Sequence, residues 1–72
     1  MKCAKRIREL REDKDLSQTQ IAEILNTSQS YYAQYENEKR PLPIHHLETL
    51  CVFYNVSADY ILGLPDLPYP KR

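Results

Sequence analysis

The stretch LSQTQIAEILNTSQSYYAQYENEKR, residues 16 to 40, constrains this chain most, because it contains two helix starts with a turn between them. Ser17 to Gln20 reads S-x-x-Q, a capping box in which hydroxyl and amide each satisfy a backbone group at a helix N-terminus. Ile21, Ala22 and Leu25 follow as an apolar stripe, so a helix is expected over about residues 18–25. Asn26 then stands where that helix ends in a left-handed residue, which asparagine tolerates better than other non-glycines. Ser28 is a good N-cap for the next helix, whose Tyr32 and Tyr35 face inward and which ends near Asn37, ahead of Pro41 and Pro43.

The flanking sequence supplies three more helices. Cys3, Ile7 and Leu10 recur at helical spacing over residues 3–13, with charges filling the other faces. Ile44, Leu47, Leu50, Cys51 and Tyr54 form a stripe over residues 44–54, and Ser57 caps a short helix, SADYIL, that Gly63 closes. No segment alternates with period two, so the fold class is all-α. At 72 residues the chain is one domain, near the size where folding buries only about 60% of the unfolded surface. Residues 1–64 are expected to form it, with 65–72 as a proline-rich extended tail.

Ten basic and ten acidic residues cancel, so no global field advertises a polyanionic partner. The distribution is uneven: residues 1–14 carry six basic side chains against three acidic ones, and Lys39 with Arg40 makes a second basic cluster. The basic first helix reads mainly as a solvated face with pairs such as Arg8 with Glu12, and Lys5 and Arg6 are lesser candidates for a polyanion. No apolar run approaches the roughly 20 residues of a membrane span, and Cys3 and Cys51 lie far apart, so a soluble, cytoplasmic protein without disulfides is expected. Cys3, His45, His46 and Cys51 lack metal-ligand spacing. No nucleophile–base pair or phosphate-cradling glycine loop is present, so neither an enzyme nor a cofactor is expected.

With Gln29 at zero on a helical wheel, Tyr32 and Tyr35 fall near 300° and 240°, and Gln29, Ser30, Ala33, Gln34 and Asn37 fill the opposite arc, at about 100° per residue. A face of amides and small side chains suits base reading, since a glutamine amide can donate and accept at once against adenine in the major groove, and Ala33 permits close approach to a thymine methyl. Tyr31, near 200° on the same wheel, flanks both faces and is open to two roles, contacting a phosphate or shielding the core edge.

These residues resemble the helix-turn-helix of the Xre/Cro-type family, the DNA-binding domains of lambdoid phage repressors and their bacterial relatives. The match begins at Gln18, with a small residue at Ala22, a turn residue at Asn26 and apolar residues at Ile21, Leu25, Tyr32 and Tyr35, and it extends from about Ala4 to Gly63. The resemblance implies a compact five-helix repressor-like domain whose second and third helices form the motif and whose third helix enters the major groove of operator DNA, usually as a homodimer. It implies base contacts from Gln29, Ser30 and Gln34, a bracing and phosphate role for Gln18, and backbone contacts from Asn37, Lys39 and Arg40; from their places on the wheel Ala33 is counted with the base-reading residues and Tyr31 with the phosphate contacts. The resemblance also pairs Arg11 with Glu36, tying the first helix to the end of the third.

Two positions depart from the family pattern: Asn26 and Glu38 replace common glycines, and Glu38 puts a negative charge beside the expected phosphate track. The expected function is therefore a sequence-specific DNA-binding transcriptional regulator, a repressor acting by operator occlusion. Dimerisation is expected through Val56, Tyr60 and Leu64. The alternative is a helix-turn-helix protein-interaction module, an adaptor or antitoxin, which the zero net charge and Glu38 favour.

Overall fold

The computed structural model of the chain describes residues 2–63. Five α-helices follow in order: α1 (Lys2–Asp13), α2 (Gln18–Ile24), α3 (Gln29–Glu36), α4 (Ile44–Tyr54) and α5 (Ala58–Leu62). The all-α class read from the sequence is what the chain adopts. The proline-rich segment 65–72 and Leu64 lie outside the described residues.

Local chemistry sets the boundaries. The Ser17 hydroxyl accepts from the Gln20 amide at 3.0 Å while the Gln20 side chain accepts from the Ser17 amide at 2.8 Å, closing the capping box at the start of α2. Ser28 and Ser57 cap α3 and α5 in the same way, accepting from Tyr31 and Tyr60. Since such a cap contributes about 1 kcal/mol, Ser17→Ala should lower the thermal midpoint by about 4–8 °C. A melt unchanged to within a degree would show that α2 is held by packing alone.

Asn26 and Asn55 take left-handed conformations, with φ of 60° and 57°, and Gly63 closes α5 at 73°. Asp15 and Glu38 also adopt positive φ, at 56° and 61°. For a glutamate this geometry sets Cβ against the following carbonyl, at a cost of roughly 1–2 kcal/mol. Glu38 thus occupies a glycine's conformation where the family commonly has glycine.

The core gathers Cys3, Ile7, Ile21, Ala22, Leu25, Tyr32, Tyr35, Leu50, Tyr54 and Ile61. In it α2 packs on α3, α1 lies against α3 and α5, and α4 meets α5. The stripe assigned to α4 is corrected at its first position: Ile44 is 73% exposed, whereas Leu50 is fully buried and Leu47 and Cys51 pack at the edge. Ile44 opens the helix directly after the N-cap Pro43, so its side chain lies one turn short of the level where α4 reaches the core. Val52 and Phe53 add to the exposed apolar surface of this helix.

Burial raises the phenols of Tyr32 and Tyr54, the latter to about 12, and the negative charge of Glu36 adds to both shifts. Both hydroxyls are buried, and the Tyr32 phenol lies close enough to the Glu36 carboxylate to help hold its charge. The phenols therefore stay neutral and act as core volume beside the charged pair described below.

Candidate nucleic-acid interface

The short turn after α2 and the Ser28 cap present α3 with Tyr32 and Tyr35 turned into the core. Its outer side is left to Gln29 and Ser30, both exposed, and to Ala33 and Gln34, both half-buried. Asn37 is the exposed C-cap of the helix, and its amide closes on the Ala33 carbonyl at 2.9 Å. Lys39 and Arg40 follow, exposed, in the loop to α4.

A connected set of hydrogen bonds supports one end of this face. The Gln29 amide nitrogen donates to Gln18 Oε1 at 2.7 Å, and Gln18 Nε2 donates in turn to Glu36 Oε1 at 3.0 Å. Glu36 is buried, with its side chain 1% exposed, and its carboxylate accepts from Arg11 Nε at 2.7 Å and Nη2 at 3.1 Å. Arg11 spends a third donor on the Leu16 carbonyl at 2.9 Å, so one guanidinium joins the end of α1 and its following turn to the end of α3. Burial pushes the Glu36 carboxyl up, but the donors around it, Arg11 foremost, outweigh burial and hold it below the usual carboxylate range.

The direction of these bonds is fixed by chemistry. An ionised carboxylate only accepts, so Gln18 must turn its NH2 toward Glu36 and its oxygen toward Gln29. Gln29 then gives one N–H to Gln18 and keeps its own oxygen and a second N–H for another partner. That remaining donor and acceptor are the pair that an adenine edge matches.

At the other end of the face the groups are held differently. Arg40 Nε donates to Gln34 Oε1 at 2.7 Å, and its guanidinium lies 4.7 Å from the centroid of the Tyr31 ring. Tyr31 is 40% exposed and meets Tyr35 edge-on at 5.9 Å. Its ring is thus packed between core and loop. Arg6 lies over Tyr60 at 4.6 Å, which occupies one of the basic side chains of α1 with a contact inside the domain.

The sequence places Gln18, Glu36 and Arg11 in separate segments, and reading it does not reveal that they form one bonded chain with Gln29. The signal that was available is the pair itself, because a buried carboxylate needs every lone pair satisfied and calls for a further donor. The bond between Arg40 and Gln34 has no such signal. It depends on the left-handed Glu38, which turns the chain back over α3.

Among the described residues no three histidine, cysteine or acidic side chains are grouped to hold a metal ion, and no helix is long and apolar enough to cross a membrane. His45 and His46 sit with rings 4.2 Å apart, and burial together with His45 lowers the His46 imidazole.

Comparison with known proteins places this arrangement. A family model described as helix-turn-helix matches residues 7–61. The chain is 44% identical over 66 residues to YobD of Bacillus subtilis, named an uncharacterized HTH-type transcriptional regulator; the match covers 92% of this chain and 59% of that protein. It is 36% identical over 63 residues to the HTH-type transcriptional regulator ImmR of Bacillus subtilis, covering 88% and 50%, and 38% identical over 55 residues to the HTH-type transcriptional regulator PrpR of Mycobacterium tuberculosis, covering 76% and 11%. The chain therefore spans at most 59% of the length of these relatives. No solved structure is a significant match. With the matched segment running from the middle of α1 to the end of α5, the chain belongs to the Xre/Cro-type helix-turn-helix family.

Proposed function

We propose that the chain is a sequence-specific double-stranded DNA-binding transcriptional regulator that lays α3 in the major groove and represses by occluding its site. Gln29, Ser30, Ala33 and Gln34 face the base edges; Gln18, Tyr31, Asn37, Lys39 and Arg40 run along the phosphates. The observation that carries this reading is the fixed amide face: two glutamines on one side of α3, each held by a bonded neighbour rather than left free in solvent. Phosphate contacts set register and base contacts select sequence, so an exposed helix without basic residues suffices when Lys39 and Arg40 stand just beyond it. The relatives' names as transcriptional regulators support the same reading.

Titrating a labelled duplex with protein at increasing salt tests it. Log affinity should fall linearly with log salt, and Lys39→Ala should reduce the slope by about one while weakening all sequences alike. The second reading, a protein-interaction module, is favoured by the zero net charge and by the exposed Ile44 and Val52 of α4. No duplex binding at low salt, or a flat salt response, would select it.

Two copies on a pseudo-palindromic site, with half-sites about 10 bp apart or a multiple, would meet through Val56, Tyr60 and Leu64. Tyr60 is exposed, and Val56 is half-buried against the core. Analytical ultracentrifugation with operator tests this, and a strict 1:1 complex would refute it.

Glu38→Gly should act on both stability and binding. Glycine relieves the left-handed strain, about 1–2 kcal/mol, returns about 0.4–1 kcal/mol through the freer unfolded chain and removes the interaction that the Glu38 side chain makes, so the change in stability reads the balance of the three. Loss of a negative charge beside Lys39 should also tighten duplex binding, most at low salt. A variant of lower stability would show that the interactions of the Glu38 side chain outweigh the strain.

A further inference from the structure

The loop leaving α3 folds back on the helix it has just left. The main-chain amides of Lys39 and Arg40 both donate to the Gln34 carbonyl, at 2.8 and 3.3 Å, so the backbone of Arg40 is pinned to Gln34 itself. From there the Arg40 side chain bridges two residues of α3, stacking on the Tyr31 ring at 4.7 Å and donating from Nε to Gln34 Oε1 at 2.7 Å. Tyr31 and Gln34 are three apart and therefore neighbours on the helix surface. Ring, guanidinium and amide form one stacked unit at the rim of the face.

Arginine carries donors and no acceptor. The Gln34 amide can meet it only with its oxygen, which spends one of that oxygen's two lone pairs, fixes the flip of the amide and leaves both N–H donors for another partner. Gln29 differs, because its bond to Gln18 spends a donor and keeps the oxygen. The two glutamines of α3 therefore present different chemistry, although the sequence writes them alike.

We propose that Arg40 is a specificity-determining residue that sets the hydrogen-bond polarity of Gln34. By taking one lone pair of Oε1 and fixing which way the amide is flipped, it biases a side chain able to read adenine through one donor and one acceptor toward presenting its NH2. Guanine, with N7 and O6 both accepting on its major-groove edge, fits an amide that presents its NH2. Adenine's N6 amino group and cytosine's N4 amino group each bring a donor where an acceptor is needed, and thymine's O4 offers only one acceptor. Tyr31 acts in the same unit as a positioning residue, holding the guanidinium in place through its ring. The inference rests on the reading of α3 as a DNA-reading helix and adds which base the Gln34 position selects.

Selection of bound duplexes from a random library, run on the wild type and on Gln34→Ala, Arg40→Ala, Tyr31→Leu and Lys39→Ala, tests it. All four residues are exposed or half-buried, and a thermal melt on each variant confirms that it is folded. The wild type should select guanine at one position per site, and Gln34→Ala should identify that position by making it indifferent. Arg40→Ala should shift that position from guanine toward adenine by about tenfold, Tyr31→Leu should shift it in the same direction by less, and Lys39→Ala should lower affinity without altering the selected bases. Uniform weakening by Arg40→Ala with an unchanged preference would overturn the proposal, as would adenine at that position in the wild type. If the wild type enriches no sequence, the DNA-binding reading fails and takes this inference with it; an enriched site insensitive to Arg40 removes the inference alone.

Discussion

Glu36→Gln is expected to destabilise the domain by about 3–5 kcal/mol, because it leaves the Arg11 charge largely buried without a counter-ion. The two side chains are 13% and 1% exposed, with Nε and Oε2 2.7 Å apart, so solvent screens the pair weakly. Small domains have a total stability of the order of 5–15 kcal/mol, so losing this pair removes a large share of it. In a domain of this size the thermal midpoint should fall by roughly 12 °C or more. A drop under a few degrees would mean that the pair behaves as a surface ion pair. Replacing both partners, Arg11→Met with Glu36→Met, should cost less than Glu36→Gln, since no uncompensated charge then remains.

The same carboxylate gives the stability its acid limit. Its folded value lies below the 4.5 of an ordinary glutamate, so its contribution is complete above about that pH and is lost as pH falls through the depressed folded value. The wild type should therefore lose stability on acidification below about pH 4.5, and Glu36→Gln should show a flatter acid limb.

Gln29→Ala is expected to weaken cognate duplex binding by about 1–3 kcal/mol and to relax selection at one base pair. That is a loss of about 5- to 150-fold in Kd. Gln29 is exposed, and among the described residues its side chain bonds to Gln18 alone, so the fold should melt near the wild-type temperature while recognition fails. That separation of stability from binding distinguishes a reading residue from a supporting one. Glu36→Gln, by contrast, should damage both, because Arg11 and Gln18 must then share one amide oxygen in place of a carboxylate, and the orientation of Gln18 is no longer fixed. Unchanged base selection by Gln29→Ala would remove Gln29 from the reading face.

The sequence carried most of the fold because helix ends and core stripes are local signals. Ser17, Ser28 and Ser57 mark N-termini by side-chain chemistry that acts within three residues, and each caps the helix that follows it. Tyr32 and Tyr35 lie three apart, a spacing that puts them on one helix side, and both are buried. Ile44 shows the limit of the same reasoning: periodicity places it on the stripe of α4, but how far a stripe reaches into the core depends on where α4 docks.

The site was less legible for a related reason. Residue types on the face of α3 follow from spacing, whereas their hydrogen-bond partners come from Gln18 and Arg40, in segments whose approach depends on the tertiary fold. The positive φ of Glu38 has no local signal in the residue itself, since glutamate does not favour it. Only a comparison with a glycine-bearing pattern points to that position.

DNA reading by α3 requires its amide face to meet the duplex, and the side-chain amide resonances of the glutamines report on that directly. In a titration of isotope-labelled protein with its selected duplex, the NH2 signals of Gln29 and Gln34 should shift most, with smaller changes at Gln18 and at the backbone of Asn37 and Lys39, and with α4 from Glu48 to Val52 unmoved. Shifts centred on Ile44, Val52 and Phe53, with the Gln29 and Gln34 amides unchanged, would contradict it and place the working surface on α4.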